Sequence, residues 1–234
     1  MKISLLSIIF LILVQLTLNA QEKYIIISGG LTKPLADFAD NDFDNSDAGF
    51  ATNGYNIGFE LGHFFNPWFG IGGSFKFNNS GFDSQRFNDT LSVRFENKAD
   101  MDTIYLYSGD YNLHNFLAGP YGKIDLGSHF SIFGNAFIGV LSTFRPDQTL
   151  FYKKYSEPDP VNLYLAGKLA GAFAWNFGGG FLVKVSDGLG IVLKADYIAA
   201  NPEFEVFDYE TLIIVKEVQA VRYVNFNIGL TLRM

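Results

Sequence analysis

Cysteine is absent from the 234 residues, and histidine occurs only three times. The first absence excludes a disulfide framework, a thiol nucleophile and thiolate metal sites. It also makes a lipoprotein anchor an unexpected way of holding this chain. Charge is sparse at 18% of residues, and 17 basic side chains face 24 acidic ones. That balance argues against nucleic-acid binding, which needs clustered Lys and Arg. After Leu18, no stretch approaches the ~18 uninterrupted apolar residues of a membrane-spanning helix. What the chain does have is 25 Phe, 12 Tyr and 24 Gly. A disordered chain is poor in aromatics, so disorder is excluded too.

Residues 1–20 read as a signal peptide. Lys2 supplies the positive start, Ile3 to Leu18 are apolar apart from Ser4, Ser7, Gln15 and Thr17, and Leu18-Asn19-Ala20 ends on a small residue. The run is long enough for a transmembrane anchor, but no basic stop-transfer flank follows it. Cleavage before Gln21 is therefore expected, leaving residues 21–234 as one domain.

Along that domain the hydrophobic period is two. Phe226, Ile228, Leu230, Leu232 and Met234 alternate with Asn225, Asn227, Gly229, Thr231 and Arg233. Tyr55, Ile57, Phe59 and Leu61 alternate with Asn56, Gly58, Glu60 and Gly62. Successive side chains of a strand point to opposite faces, so each such segment has one apolar and one polar or small face. Eight strands are expected, at 23–35, 50–65, 68–79, 111–126, 129–144, 162–185, 188–200 and 218–234. Short turns at Asn66-Pro67, Gly127-Ser128 and Ser186-Asp187-Gly188 alternate with long connections at 36–49, 80–110, 145–161 and 201–217. A ten-strand variant stays open, because Thr90 to Glu96 and Thr103 to Tyr107 are both strand-like.

Alternation also suits a soluble barrel of the lipocalin kind. The chemistry of the polar faces bears on the choice, because in several strands they are Gly-rich and thinly charged, unlike a hydrated exterior. A polar lumen and a lipid-facing apolar band fit better. Trp68, Trp175, Tyr55, Tyr121, Tyr164, Tyr197 and Tyr223 lie near strand ends, where interfacial aromatic girdles sit.

With that pattern, segments such as Asn115-Phe116-Leu117-Ala118-Gly119-Pro120-Tyr121, and a last strand running to Met234, the chain resembles the small outer-membrane β-barrels of the OmpA/OmpX type. The resemblance implies an all-β, antiparallel up-and-down transmembrane barrel of eight strands in the envelope of a Gram-negative cell. It also implies contact with outer-membrane lipid and lipopolysaccharide, and insertion by the barrel assembly machinery. Met234 departs from the family's usual terminal aromatic, and no peptidoglycan-binding domain is expected after the barrel.

Candidate sites follow from the polar residues. Glu60, Lys76, Lys194, Asp196 and Arg233 fall on the lumen faces, where they either pair or line a conducting path. An eight-stranded barrel has an interior just wide enough for side chains to fill, and buried charges must pair, so a filled plug is expected over a pore. Asp40, Asp42 and Asp44 have the one-three-five spacing of a calcium loop. Asn45 stands where that loop needs Gly and Ala51 where it needs Glu, so a weak divalent site is the most it predicts. His114 with Ser108 or Ser142 is the one arrangement that suggests a lipid hydrolase, and it lacks an orienting carboxylate. His63 and His129 fall beside short turns. The leading reading is a non-enzymatic barrel presenting acidic external loops to an unknown extracellular partner, for interaction or adhesion and envelope structure. A narrow porin is the alternative, and a lipid-modifying enzyme ranks third. No cofactor is expected.

Overall fold

The computed structural model describes residues 22–45, 47–96, 101–157, 159–208 and 213–234. The segment 1–20 read as a signal peptide lies outside these residues. The strands are numbered β1 to β13 in chain order. Eight of them form one closed antiparallel barrel: β1 (Glu22–Pro34), β2 (Ala51–Phe64), β3 (Phe69–Phe82), β5 (Tyr111–Asp125), β6 (Phe130–Phe144), β9 (Leu169–Lys184), β10 (Leu189–Ala200) and β13 (Val221–Arg233). Each pairs with the next, and β13 returns to β1 in a register running from Tyr24 opposite Arg233 to Pro34 opposite Tyr223. Lys23 N–H donates to the Met234 carbonyl at 3.0 Å, so the seam is bonded to its end. The ten-strand variant is therefore not the one adopted.

Closure follows from the solvent. In hydrocarbon an unpaired backbone N–H or C=O costs several kcal/mol in order of magnitude, and a closed sheet has no edge on which to leave one. Both ends of the barrel sheet and the three short turns lie together. One of these turns uses Gly127 at a φ of 100°, a conformation L side chains rarely adopt. Strand alternation then sorts the residues. On β13, Ile228 is 61% exposed on the outer wall while Asn227 is 6% exposed inside.

The interior is less polar than the sequence suggested. Tyr24, Phe64, Tyr121, Phe133 and Phe137 are all buried and share the lumen with Ser, Thr and Asn side chains. Tyr121 stacks on Phe133 with ring centroids 5.5 Å apart and touches Tyr24 at 5.0 Å. Tyr121 and Tyr223, expected in the girdle, point inward because they share the parity of Leu117 and Asn225. At the outer end Phe38, fully buried, meets Tyr111 edge-on at 5.1 Å, and Tyr111 Oη donates to the Gly49 carbonyl.

The long connections carry structure that strand alternation did not reveal. Asp83 caps a helix, α1 (Ser84–Glu96), its Oδ1 accepting from Arg86 N–H at 3.0 Å. Thr90 to Glu96 therefore do not form a strand. Leu91, Val93 and Phe95 alternate, but Phe87, Leu91 and Phe95 also recur every four residues, and the helical period prevails where a cap starts it. Thr103 to Tyr107 do lie in a strand, β4 (Met101–Ser108), but it pairs outside the barrel with β7 (Gln148–Lys154), which pairs with β8 (Val161–Leu165). The expected strand at 162–185 is thus two strands, broken where Gly167 N–H donates to Asp147 Oδ1 at 2.6 Å. Tyr164 accordingly belongs to this external sheet, away from the girdle. Phe50, Phe87, Leu91, Leu106 and Leu150 form a second core beneath the sheet. A separate hairpin joins β11 (Glu203–Asp208) to β12 (Ile213–Val218).

This wall assignment predicts unequal costs on β13. An Arg at mid-bilayer on the lipid face costs about 2–4 kcal/mol. Ile228→Arg should lower the denaturant midpoint in lipid vesicles by that order, with Asn227→Ser well below it. Equal, small effects would mean that no lipid lies against this wall.

Candidate functional site

Four of the five lumen charges meet. Glu60 comes from β2, Lys76 from its neighbour β3, and Lys194 and Asp196 from β10 across the lumen, where both point inward as i and i+2 of one strand. Lys194 Nζ lies 2.5 and 2.7 Å from the two Glu60 oxygens and 3.1 Å from Asp196 Oδ1. Lys76 Nζ lies 2.5 Å from Asp196 Oδ2 and 3.3 Å from Glu60 Oε1. Each cation thus touches both carboxylates, in a closed ring of alternating sign with zero net charge. All four side chains are at most 3% exposed.

The neighbours of the ring complete it. Asn176 and Asn227 each donate to Asp196 at 3.4 Å. Lys194 Nζ sits 6.0 Å from the ring centroids of both Phe133 and Phe137, within reach of their negative faces. Glycine is required opposite: a Cβ on Gly178 would lie 2.0 Å from Asp196 Oδ1. Towards the outer end, Asn78, Thr32 and Asn225 hydrogen-bond to one another, and Asn115 donates to Tyr223 Oη at 2.9 Å.

Arg233 is not part of this ring. It sits at the barrel end that carries the short turns, where its Nε donates to Glu22, whose other oxygen is 2.6 Å from Lys123 Nζ. Its place at the end of β13 puts it at the rim, far along the strand from Asn227. A basin of about 330 Å³, lined by Glu22, Lys123, Asp125, Asp187 and Arg233 among others, opens there.

The acidic loop does not assemble a cation cage. Asp40 Oδ1 accepts from Asp42 N–H, Asp42 Oδ1 accepts from Asp44 N–H, and Asp44 pairs with Arg94 at 2.9 Å. The Asn45 amide, with the Asp42 N–H, holds the Asp40 carboxyl below the usual carboxylate range. The carboxylates are thus used in turning the backbone and facing α1. Among the described residues no three His, Asp or Glu side chains converge as metal ligands.

The histidines are dispersed. His114 lies opposite Ser142 across β5 and β6 on the outer wall, edge-on to Phe77 at 4.8 Å. Ser108 is in the external sheet and donates to the Gly109 carbonyl. His129 is 2.7 Å from Ser128 Oγ in a short turn, and His63 packs against Phe65.

The external sheet presents what the sequence reading missed. Strand parity puts Tyr105 and Tyr107 of β4, Phe151 of β7 and Tyr164 of β8 on the face opposite the second core. Tyr105 stacks on Phe151 at 4.5 Å, and Tyr107 and Tyr164 are 65% and 62% exposed. The alternation of Tyr105, Leu106 and Tyr107 carried the signal, but only the pairing of β4 with β7 turns it into a face.

Residues 7–233 match the family model described as the outer membrane protein beta-barrel domain. The chain belongs to that family. As an outer-membrane barrel it spans the bilayer with the eight paired strands. Comparison with curated proteins gives no match. Among solved structures, it is similar to the attachment invasion locus protein Ail of Yersinia pestis, at 16% identity and a TM-score of 0.45, over 92% of this chain and 99% of that one. It is also similar to Neisserial surface protein A, at 9% identity and a TM-score of 0.47, over 91% and 98%. A third is OprG of Pseudomonas aeruginosa, at 12% identity and a TM-score of 0.46, over 92% and 97%.

The ring makes a testable energetic claim. Lys194→Met leaves one cation between two buried carboxylates, and breaking a buried pair costs about 3–5 kcal/mol. Adding Glu60→Gln returns the site to one cation and one carboxylate, so the double variant should recover most of that loss in urea unfolding from vesicles. A double variant no better than the single one would remove the ring's role in stability.

Proposed function

We propose that this barrel is a non-enzymatic, non-conducting anchor in the outer membrane that serves interaction or adhesion through its external lobe, with a structural contribution to the envelope. The observation that carries the reading is that lobe. Its helix, three-stranded sheet and first loop share a core of their own, and the sheet turns an aromatic face outward. Ordering that much chain costs conformational entropy, which a passive connection between strands has no need to meet. Exposed Tyr is suited to recognition, giving large, rigid contact area with a polar tip. The loops around it are acidic, with Asp37, Asp40, Asp42, Asp44 and Asp47 in the first alone. A rim of this kind can bridge to lipopolysaccharide through the divalent ions that lipid carries. Insertion through the barrel assembly machinery completes the picture.

The filled lumen supports the non-conducting part of the reading, since a solute path would have to open the charge ring and the aromatic layer together. Cells displaying the protein should adhere to host-cell or matrix surfaces more than cells lacking it. Tyr107→Ser with Tyr164→Ser should abolish that difference while leaving the barrel's heat-modifiable migration intact. Planar bilayers should show no steady current. Adhesion unchanged by the double substitution would count against the lobe, and a sustained porin-like current would favour the channel.

A further inference from the structure

We propose that Lys33 and Arg222 form a binding site on the outer wall of the barrel for the phosphate head group of an anionic lipid in the outer leaflet. The proposal rests on the membrane placement of the barrel and is independent of the adhesive reading of the lobe.

Most cations of this chain are already matched. Among the described residues Lys76 and Lys194 pair in the lumen, Lys123 and Arg233 at the rim, and Arg94, Lys153, Lys168 and Lys216 with loop carboxylates. Among the described residues neither Lys33 nor Arg222 has an ion pair or a side-chain hydrogen bond, and Lys33 is exposed while Arg222 is half-buried. Two unpaired cations at the edge of an apolar wall are favourably met by an anion at that level, through charge-assisted hydrogen bonds.

Register brings the two together. Lys33 on β1 lies opposite Val224 on β13. Leu35 N–H, two residues on, donates to the Arg222 carbonyl at 2.9 Å. Lys33 and Arg222 are therefore diagonal neighbours across one strand pair. Both point outward, because Thr32 and Pro34 on β1 and Val221 and Tyr223 on β13 are the buried positions. Diagonal neighbours are ~7–8 Å apart, a span that one phosphate can bridge between two long cationic side chains.

Their height on the wall selects a lipid over a soluble anion. Below Lys33 on its strand come Leu31, Gly29, Ile27 and Ile25. Below Arg222 come Val224, Phe226, Ile228, Leu230 and Leu232. The two cations thus end two adjacent lipid-facing stripes at their outer limit. On the next strand Arg222 pairs with Ala199 and Val224 with Tyr197. Ala199 pairs in turn with Trp175, whose ring is 5.3 Å from that of Tyr197. Trp and Tyr at this position mark the headgroup level, where acyl chains stop and lipid phosphates lie. In a chain of net charge −7, this unpaired cation pair is complementary to that layer, whereas the acidic loops above repel it.

The test uses the full folded barrel in detergent, with bound lipid counted by native mass spectrometry. The probes are diphosphorylated lipid A, the same glycolipid with its phosphates removed, and inorganic phosphate as competitor, each with and without EDTA. The proposal predicts that wild-type protein retains diphosphorylated lipid A in EDTA. Removing the phosphates, or making Lys33→Gln with Arg222→Gln, should each weaken retention about tenfold or more. Lys33→Arg should bind as wild type does. Heat-modifiable migration reports folding. Should the Arg222 variant not fold, Lys33→Gln against Lys33→Arg decides, with loss in the first alone in support. Undiminished retention by the substituted protein overturns the proposal. So does binding that EDTA abolishes, which would assign the lipid to a cation bridge from the acidic loops. Displacement by equimolar inorganic phosphate overturns it as well, since the site would then select a soluble anion.

Discussion

Every feature of this molecule depends on the backbone being unable to hydrogen-bond to hydrocarbon. A chain that crosses a bilayer in strands must pair each N–H and C=O with another strand, and only a closed sheet leaves none over. Closure at eight strands then sets the width of the interior, which side chains can fill. Any charge placed there gives up its hydration, so it has to be neutralised and hydrogen-bonded by its neighbours. The ring of Glu60, Lys76, Asp196 and Lys194 meets both conditions, with two charges of each sign and five close contacts among them. Gly178 shows how tightly the wall is fitted around it, since even one methyl group would meet the Asp196 carboxylate.

The same closure explains the division of labour along the chain. Barrel strands present apolar residues to lipid and a mixture of aromatic, amide and charged residues to the lumen. The remaining strands and the helix lie in the connections at the outer end. There the first loop, α1, β4, β7 and β8 build a second core, and Phe38 with Tyr111 closes the mouth between the two. Two non-glycine residues with positive φ, Ala36 at 50° and Phe50 at 51°, flank that first loop. Such conformations cost of order 1–3 kcal/mol each and persist where packing over-determines them. Phe50, held edge-on against Phe87 at 5.0 Å, is packed in that way.

How much of this was legible in the sequence follows from which forces act locally. Alternation in segments such as Asn225 to Met234 reports a lipid wall directly, because every second residue meets the same solvent. It does not report what fills the inside. Tyr121 and Tyr223 read as girdle residues until the parity of their strands is known. The four-charge ring was legible as a set of inward charges, because pairing is obligatory for buried ions, but Arg233 was grouped with them only by face. Its height along the strand, which separates it from the others, is set by the tilt and register of the closed sheet. The external lobe was the least legible part. Leu91 and Phe95 satisfy both periods at once, and β4 finds its partner β7 some forty residues away. A pairing of that range is decided by tertiary packing and has no local mark.

The central claim is that the lumen is sealed from water by its own side chains. The absence of native cysteine makes thiol accessibility the most direct measure of it. Single substitutions Ser74→Cys, Asn227→Cys and Ser131→Cys, at positions at most 6% exposed, would be compared with Ser186→Cys in an exposed short turn. Protein folded in bilayers would be treated with a small, charged, membrane-impermeant thiol reagent. The account predicts rapid labelling of the turn and labelling slower by orders of magnitude at the three lumen positions until the protein is denatured. Comparable rates at all four would show a water-filled lumen, and the sealed-barrel account would be contradicted.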